Sequence, residues 1–448
     1  MFARRYLCWI AFLLFGIVLA SHANSTDQSQ TNSGWITRDL SFRVLNVASN
    51  GSRIWACGTD EGIASSSDGG EHWQIKHQAL GGNLLLNVQF ISKDFGFAAG
   101  TGGALMTSED GGETWTTRPS PGATILQISL SDANHGIVRT PDSLLVTSDG
   151  GAHWSPVSLG DNAETLKQFP YTFSLAALDS LHLAVMLKSG SAQYESQAFL
   201  VSGDGGTTWK TEHVPNSTLY SFLARSEEYW AIGTEVIHRD QPGGGYAVPV
   251  AWHSPDGHQW SRSSTDLSAC KMEMCVACKH EGCLSSNGTV SDIFSEKPRY
   301  QSFPTNAKLN SKWAAAENAI CFAGNELQCA AASKANQYST GGDSIAAAAS
   351  PGPLGAKTAS GPRCVSCGMD HFLVDQKVQG SFSIRLTIRV AMNGTVSGVE
   401  VDSAPSPEIR SRIEEQVRLW IFEPYEKDGH RVNLKLTTKV QVNVMRSR

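Results

Sequence analysis

Short apolar stretches separated by polar turns dominate the first three quarters of the chain. The stretches IWACGTDEGIASSSDGG (54–70) and FGFAAGTGGALMTSEDGG (95–112) share one layout. In each, an apolar run ends in a small residue and Gly-Thr, a short turn follows, and a second run leads into Asp-Gly-Gly. GIVRTPDSLLVTSDGG (136–151) repeats this layout with lower fidelity. Runs of about four to eight residues bounded by Gly, Asp and Ser are typical of β-hairpins, so the pattern predicts one repeated antiparallel unit.

The second run of each unit enters the motif Ser/Thr-x-Asp-Gly-Gly-x-x-Trp. Four copies are complete, and a fifth, HSPDGHQW (253–260), lacks the second glycine and is one residue shorter. An Asp carboxylate accepts hydrogen bonds from backbone N–H groups of its own turn, glycine adopts positive φ, and Trp buries a large apolar area. The motif therefore predicts a structural turn lock between two strands. Its predicted residues are Asp68 and Trp73, Asp110 and Trp115, Asp149 and Trp154, Asp204 and Trp209, and Asp256 and Trp260.

The spacing of the motifs indicates a repeat architecture. The five aspartates are 42, 39, 55 and 52 residues apart, and self-similarity at such a period is typical of propellers and solenoids. EMCVACKHEGCLSSNGTV (273–290) and NAICFAGNELQCAAAS (318–333) continue the layout without a complete motif. Residues 35–333 are thus predicted to form an all-β seven-bladed β-propeller, with six or eight blades as alternatives. The segment 35–42 is expected to add a strand to the last blade and close the ring.

These motifs resemble the Asp-box, or BNR repeat, found in the β-propellers of sialidases, some endo-glucanases, sortilin-type receptors and photosystem II assembly or stability factors. The resemblance implies that the box aspartates are structural and lie on the outer rim of the blades. The chain is most similar to the photosystem II factors, because it lacks the Arg-Ile-Pro motif of sialidases. In those factors an Arg-rich face binds a membrane-protein partner. The arginines of the first three units are Arg43, Arg53, Arg118 and Arg139, which are not clustered in sequence.

A second pattern begins near residue 375. The stretch SFSIRLTIRV (381–390) alternates apolar and polar residues, as in a half-buried strand. Asn393-Gly394 then predicts a hairpin turn, Ser406-Pro407 predicts a helix start, and alternation returns over 432–444. Residues 375–448 are therefore predicted to be a small α+β domain of order β-β-α-β. A Gly/Ala/Ser/Pro-rich linker with a Cys-x-x-Cys pair is predicted at 334–374.

Two stretches of this segment, NGTVSGVEV (393–401) and VRLWIFEPYEKDGHRV (417–432), resemble the C-terminal domain of TonB-like energy transducers. The second contains that family's Trp-x-Phe-x-Pro pattern, followed by a Gly-containing turn. The resemblance implies a domain that docks on partner proteins, often by lending a strand edge.

The N-terminus and the overall charge limit the possible partners. Residues 1–23 contain Arg4-Arg5, an apolar run over 7–20 and a small-residue site at Ser21-His22-Ala23, which predicts a signal peptide. An uncleaved anchor is the alternative. The protein is therefore expected in the periplasm or at the cell surface. The formal net charge of −6 gives no basic footprint for nucleic acid, and no later stretch is apolar enough for a membrane span.

The ten cysteines favour disulfides, because an exported protein folds in an oxidising setting. Cys275 and Cys283 are eight residues apart, as are Cys321 and Cys329 in the next unit. A zinc site built from CVAC and CVSC, or a thioredoxin-like role for CVSC, are alternatives; no metal or cofactor is expected. The predicted pairs are Cys275–Cys283, Cys321–Cys329 and Cys364–Cys367. Outside the signal peptide this leaves Cys57, Cys270 and Cys278.

The sequence contains no recognisable catalytic constellation. A glycosidase needs two carboxylates roughly 5–10 Å apart, and Asp94, Asp132 and Glu228 are candidates that also suit loops or turns. We therefore expect a non-enzymatic exported scaffold. Its propeller would recognise a protein or glycan partner, and its C-terminal domain would dock on a second envelope component. A carbohydrate-active Asp-box enzyme, similar to a glycosidase or sialidase, is the alternative.

Overall fold

The computed structural model describes the chain over most of the propeller region and the C-terminal segment. The described residues are 35–51, 53–158, 171–188, 197–214, 217–225, 227–237, 246–263, 275–279, 282–285, 289–291, 300–302, 312–316, 319–324, 326–331, 364–367, 372–374, 380–402, 404–418, 420–428 and 430–446. The predicted signal peptide, most of the predicted linker, and Cys270 lie outside them.

The described part of residues 35–331 forms four-stranded antiparallel sheets, in which strands follow one another as a meander. Sheet 1 contains β2 (Val44–Ser49), β3 (Ile54–Gly58), β4 (Ile63–Ser66) and β5 (Gln74–His77). Sheet 2 contains β6 (Leu85–Phe90), β7 (Gly96–Gly100), β8 (Leu105–Ser108) and β9 (Thr116–Thr117). Sheet 3 contains β10 (Gln127–Leu130), β11 (Gly136–Arg139), β12 (Leu144–Thr147) and β13 (Ser155–Pro156).

The next three sheets repeat the arrangement. Sheet 4 contains β14 (Tyr171–Ala177), β15 (Leu183–Lys188), β16 (Gln197–Ser202) and β17 (Lys210–Glu212). Sheet 5 contains β18 (Ser217–Arg225), β19 (Glu228–Ile237), β20 (Tyr246–Ser254) and β21 (Ser261–Arg262). Sheet 6 contains β22 (Cys275–Lys279), β23 (Gly282–Ser285), β24 (Thr289–Ser291) and β25 (Tyr300–Ser302).

Sheet 7 combines strands from the two ends of this region. It contains β26 (Trp313–Ala316), β27 (Ala319–Phe322), β28 (Leu327–Ala331) and, as its outermost strand, β1 (Trp35–Arg38). Strand β1 pairs with β28 from Trp35↔Ala330 to Arg38↔Leu327. Arg38 Nε also donates to the carbonyl of Gly70 in sheet 1 at 3.1 Å. The segment before the first repeat is thereby tied to the last sheet.

The apolar cores lie between the sheets. One cluster fills each space between consecutive sheets, and another joins sheet 7 to sheet 1. Between sheets 1 and 2, for example, the fully buried Trp55 lies 5.0 Å from Phe90 and 6.1 Å from Trp115, measured between ring centroids. Sheets packed face to face around a ring are the architecture of a β-propeller.

The C-terminal segment forms a separate sheet and one helix. Its elements are β29 (Cys364–Ser366), β30 (Phe372–Val374), β31 (Gly380–Val390), β32 (Val396–Val401), α1 (Pro407–Val417), β33 (Ile421–Phe422), β34 (Glu426–Lys427), β35 (His430–Arg431) and β36 (Leu434–Arg446). The main sheet has the order β30-β36-β31-β32, with β30 parallel to β36. Strand β30 lies in the segment that the sequence pattern assigns to the linker.

Helix α1 starts where the sequence signals indicate. The Ser406 hydroxyl accepts the N–H of Ile409 at 3.2 Å, and Pro407 occupies the first turn, where its missing N–H costs no hydrogen bond. Ile409, Ile413 and Val417 are fully buried against the apolar face of the sheet. The helix therefore covers one face of the sheet and leaves the other exposed.

One predicted disulfide is wrong. Cys283 is bonded to Cys278, not to Cys275, because Cys278 lies directly opposite it with a Cα–Cα distance of 4.0 Å. Cys275 lies opposite Ser285, beyond a register shift. Cys278 and Cys283 lie on the first and second strands of sheet 6, whereas Cys321 and Cys329 lie on the second and third strands of sheet 7. Equal spacing in sequence therefore does not place the two cysteine pairs at equivalent positions. Among the described cysteines, the predicted bonds Cys321–Cys329 and Cys364–Cys367 are present.

Candidate functional site

The Asp-box of sheet 2 shows how these turns are built. The Ser108 hydroxyl accepts the N–H of Gly112 at 2.8 Å and donates to Asp110 Oδ1 at 2.8 Å. Asp110 accepts the backbone N–H of Thr114 at 2.9 Å and its hydroxyl at 2.6 Å. Trp115 Nε1 donates to the carbonyl of Gly112 at 3.0 Å. Both carboxylate oxygens are therefore engaged within the turn.

The hydroxyl and carboxylate bonds recur in the other complete boxes, and the Trp Nε1 bond recurs at Trp73 and Trp209 but not at Trp154. The box hydroxyl accepts the N–H of the second glycine at 2.8–2.9 Å, and Oδ1 accepts the N–H four residues after the aspartate at 2.8–2.9 Å. At Asp68 and Asp149 a histidine ring replaces the threonine hydroxyl at Oδ2, at 2.7 and 2.6 Å. These side chains, which the sequence placed in turns, have turn-closing contacts in every complete copy.

Hydrogen bonds keep the box carboxylates ionised. The hydroxyl and the backbone N–H of Thr114 lower the pKa of Asp110 to about 2. At Asp149 the backbone N–H and then the ring of the histidine four residues later lower the pKa to about 2. Burial raises the pKa of Asp68, but hydrogen bonds from His72 and Ser66 outweigh it and bring the pKa to about 2. Such groups are poor proton donors at neutral pH.

The incomplete box of sheet 5 keeps the lock in a shorter form. Ser254 Oγ accepts the N–H of Gly257 at 2.8 Å. Asp256 Oδ1 accepts the backbone N–H groups two and three residues later, at 2.8 and 3.0 Å. Trp260 Nε1 still donates to the carbonyl of Gly257 at 2.9 Å. The loss of one residue therefore shifts the hydrogen-bond register without opening the turn.

The second glycine of each box has a role that sequence reasoning missed. Gly112 has φ +89°, and a Cβ there would lie 2.2 Å from the Trp55 ring of the preceding sheet. This glycine therefore lets one sheet's turn pack on its neighbour, as well as adopting positive φ. The corresponding pairs are Gly70 with Cys329, Gly151 with Leu105, Gly206 with Val146, and Gly257 with Val201. The signal in the sequence is the recurrence of the second glycine in the four complete copies. In the shortened fifth copy, Gly257, which directly follows Asp256, takes its place.

The inner strands carry a second link between sheets. The first strands of sheets 1, 2, 4, 5 and 6 each have a register shift near their start. In four of them a polar residue follows the shift and bonds to the next sheet. Asn46 Nδ2 donates to Leu86 O at 2.9 Å and Asn87 Nδ2 to Leu126 O at 3.2 Å. Ser174 Oγ donates to Phe222 O at 3.0 Å, and Ser221 Oγ accepts the Cys278 N–H at 2.9 Å.

The candidate catalytic acids lie on three different sheets. Asp94 and Asp132 lie in equivalent turns, after the first strands of sheets 2 and 3. Asp132 accepts the N–H groups of Asn134 and His135 at 2.7 and 2.8 Å. Glu228 begins β19 in sheet 5 and contacts the ring of His253 at 3.2 Å. Asp132 therefore closes its own turn, Glu228 contacts a neighbouring strand of its own sheet, and Asp94 contacts Lys93 at 3.6 Å.

One group of metal-type side chains occurs among the described residues. Ligand atoms of Asp68, Glu71 and His72 lie within 4.8 Å of one another, and all three residues are exposed. Asp68 already accepts the backbone N–H and the ring of His72. The hydrogen bonds of the first Asp-box turn therefore explain why these side chains lie close together.

The four arginines of the first three units do not form one patch. Arg53 and Arg118 contact Glu113 and Glu109 beside the second box. Arg43 and Arg139 lie at the end of their sheets that is remote from the Asp-box turns. Arg43 adjoins the end of β3, and Arg139 is the last residue of β11. Arg139 is only 3% exposed. The Arg-rich face implied by the photosystem II factors is not reproduced by these residues.

The C-terminal domain contacts this opposite side of the propeller. Ile421 is buried against Leu45 and Leu84, at the starts of the first strands of sheets 1 and 2. Arg43 Nη2 donates to the carbonyl of Arg418 at 2.9 Å, and burial lowers the pKa of Arg43. The bidentate geometry of a guanidinium makes such contacts directional. The domain is thus held by an apolar centre flanked by hydrogen bonds.

Arg431 supplies the rest of this contact. Its Nη1 donates to the carbonyls of Gly81 and Gly82 at 3.1 and 3.3 Å, and its Nη2 donates to Asn83 Oδ1 at 2.9 Å. These acceptors lie in the connection between sheets 1 and 2. Sequence reasoning missed this contact, because its partners are 348–350 residues apart.

One long strand edge of the C-terminal domain is open in the described structure. Strand β36 pairs with β31 on one side along residues 434–444. On its other side, β30 covers only Val444 to Arg446. Among the described residues, the edge over 434–443 therefore has no strand partner. Open edges are sites where another chain can add a strand.

Comparison with known proteins supports a BNR-type propeller. A sequence model of the photosynthesis system II assembly factor YCF48 matches residues 78–194, which are 117 of 448 residues, about a quarter of the chain. No curated protein matches the chain. None of the described helices is long and apolar enough to cross a membrane.

Several solved propellers are similar to this chain at low identity. They include YCF48 bound to a D1 peptide, with 13% identity over 67% of this chain and 97% of that chain and a TM-score of 0.40. YCF48 from Cyanidioschyzon merolae has 16% identity over 67% and 99%, with a TM-score of 0.38. The GH74 xyloglucanase from Xanthomonas campestris has 14% identity over 54% and 43%, with a TM-score of 0.34. These likenesses are too remote to transfer a function.

Proposed function

We propose that the protein is a non-enzymatic, exported scaffold that binds other proteins. Its seven sheets act as the blades of one closed propeller, and its C-terminal domain is a docking module fixed to that propeller. The propeller recognises a protein or glycan partner, and the C-terminal domain docks on a component of the cell envelope. The match to the YCF48 family over residues 78–194 supports a protein-binding role.

The open edge of β36 is the observation that carries this proposal. The domain is anchored to the propeller by Ile421, Arg418 and Arg431. The unpartnered backbone over 434–443 belongs to a different element of the domain. An extended segment of a partner can pair with such an edge through main-chain hydrogen bonds. The resemblance of residues 375–448 to TonB-like docking domains supports the same use.

The state of the acidic side chains supports a non-enzymatic role. The box carboxylates are engaged by turn hydrogen bonds, and Asp94, Asp132 and Glu228 lie on three different sheets. A glycosidase would instead require two carboxylates roughly 5–10 Å apart around one sugar. A glycan can still be a ligand of the propeller in this proposal.

A capture experiment tests the proposal. The mature chain and a chain ending at residue 333 would be used as bait against solubilised envelope from the source organism. We expect the full chain to retain an envelope protein that the shorter chain loses. A partner retained equally by both chains would remove the docking role from the C-terminal domain. Hydrolysis of any member of a glycan panel, abolished by an Asp132→Asn or Glu228→Gln change, would favour the carbohydrate-active alternative.

A further inference from the structure

The exposed face of the C-terminal sheet is basic. Alternation along β31 places Arg385 and Arg389 on the face opposite the helix, and alternation along β36 places Lys435 and Lys439 there. All four residues are exposed. The register sets Arg385 directly opposite Lys439, and Arg389 directly opposite Lys435. Thr387 and Thr437 form the pair between them.

This arrangement is unfavourable for the fold itself. Like charges directly opposite each other on neighbouring antiparallel strands destabilise the sheet. Arg389 contacts Glu400 at 2.8 Å, but no described carboxylate lies within 4.0 Å of the charged nitrogens of Arg385, Lys435 or Lys439. An anionic ligand would relieve this repulsion.

The basic face is also unlike the rest of the chain. Over 35–333 the sequence has 30 acidic and 19 basic residues, a difference of −11. Over 375–448 it has 9 acidic and 12 basic residues, a difference of +3. The positive charge is therefore concentrated in the domain that has the open edge.

The cations and the open edge share one strand. Lys435 and Lys439 belong to β36, within the 434–443 edge. A strand added there would place alternate side chains on the basic face, directly across from Lys435, Thr437 and Lys439. Residues four apart on such a strand are about 13 Å apart, the same spacing as that of the two lysines. Opposite charges in directly facing positions stabilise a strand pair.

We propose that the edge of β36 selects extended protein segments with acidic side chains four residues apart. Lys435 and Lys439 pair with those two side chains, and Arg385 and Arg389 form a second row of positive charge behind them. This inference rests on the proposed docking function and names the chemistry of its partner. An anionic lipid surface matches the charge but cannot use the backbone edge, so the structure favours a polypeptide.

Binding of synthetic peptides to the full chain tests the selectivity. The probe is a capped peptide with the core Glu-Val-Thr-Val-Glu, compared with peptides in which both Glu are replaced by Gln or by Lys. We expect the Glu peptide to bind about tenfold more tightly than the Gln peptide, with the Lys peptide weaker still. The preference should shrink as salt is raised, because the pairs are exposed.

Charge-reversal variants identify the residues responsible. In Lys435→Glu/Lys439→Glu the preference should invert towards the Lys peptide. The matched control Lys93→Glu/Lys427→Glu makes the same change in net charge at exposed positions away from the edge. It should leave affinities within about twofold of the parent. Circular dichroism of each variant checks that the fold is retained.

The possible results separate the two proposals. Equal binding of the Glu, Gln and Lys peptides would leave edge docking intact and overturn the acidic selectivity. Binding of none of the peptides would overturn both edge docking and its selectivity. Binding to phosphatidylglycerol vesicles but to no peptide would assign the basic face to a membrane surface instead, and would equally overturn the inference.

Discussion

Sheets 1 to 5 and sheets 6 to 7 are held together by different chemistry. Each of the first five has an Asp-box turn, closed by side-chain to backbone hydrogen bonds and packed on its neighbour through a glycine. Sheets 6 and 7 each have a disulfide between their second strand and a neighbouring strand, Cys278–Cys283 and Cys321–Cys329. The two devices meet where Gly70 of the first box lies against Cys329. The two disulfides therefore occur in the two sheets whose sequences lack the box aspartate.

The difference shows what a box contributes beyond its own turn. A disulfide within one sheet constrains that sheet but does not by itself hold the next one. A box turn also supplies a close approach between sheets, because its second glycine has no side chain. The strongest test of this comparison is therefore to place a side chain at that glycine.

The largest effect is expected for Gly112→Ala. Its Cβ would overlap the Trp55 ring, and overpacking of this kind costs about 1–3 kcal/mol. Positive φ adds about 1–2 kcal/mol for any residue other than glycine. We expect a loss of about 3 kcal/mol in the free energy of unfolding, measured by urea denaturation.

Gly122→Ala is the matched control for backbone strain. Gly122 also has positive φ, +77°, but a Cβ there meets nothing within 4 Å. It should lose only the strain component, about 1–2 kcal/mol. If the two alanine variants were equally stable, the box glycine would act only in its own turn, and the contrast with the disulfide-bonded sheets would disappear.

A smaller effect is expected from removing the sheet 7 disulfide. In the chain-entropy view, closing a loop of eight residues stabilises the fold by about 2–3 kcal/mol. Cys321→Ser/Cys329→Ser should therefore lower the free energy of unfolding by about that amount under oxidising conditions. The loss should be seen as a lower urea midpoint in the oxidised protein and should vanish when parent and variant are compared after reduction.

The sheet 6 cysteines provide a control on pairing. Cys275→Ser should leave the Cys278–Cys283 bond in place, because Cys283 is bonded to Cys278, and Cys278→Ser should remove that bond. Peptide mapping under non-reducing conditions distinguishes the two variants, and a 275–283 linked peptide in the parent protein would contradict the observed register.

The features that the sequence predicted correctly are mostly local. The hydrogen bonds of a box turn all form within a short stretch, such as Ser108 to Thr114, so they depend on local sequence alone. The cap at Ser406 and the alternation of β31 are local in the same sense. Each depends on spacing alone, which a single sequence displays directly.

The features that could not be predicted depend on distant partners. The contact between Gly112 and Trp55 requires the relative placement of two sheets, and that of Arg431 with Asn83 requires the docking of two domains. The disulfide partner of Cys283 depends on which two strands of sheet 6 carry the cysteines and on their pairing register, which sets Cys278 opposite Cys283. The basic face could have been predicted from the sequence, because Arg385 and Arg389 occupy the same alternating positions of β31 as the polar Ser383 and Thr387.

The third prediction compares the complete boxes with the shortened one. Asp110 accepts bonds on both carboxylate oxygens, whereas Asp256 accepts its turn bonds on Oδ1 alone. Asp110→Ala should cost about 1–2 kcal/mol in the free energy of unfolding, and Asp256→Ala about half of that. Urea denaturation of the two variants measures the difference. A larger loss at Asp256 would mean that the shortened turn depends more on its carboxylate than the complete one.

The smallest effect is expected from acid. The pKa of Asp110 is about 2 in the folded protein, below its usual value of 3.8. The folded state therefore binds fewer protons than the unfolded state between these values, so the stability that this carboxylate contributes is present above pH 4. It should decline as the pH falls from about 4 to 2, and the same applies to Asp68 and Asp149. Asp110→Asn should make the urea midpoint less dependent on pH in that window. An unchanged pH dependence in Asp110→Asn would mean that ionisation of the box carboxylate adds nothing to the stability of the fold. The turn would then be stabilised by Ser108 and the glycines instead.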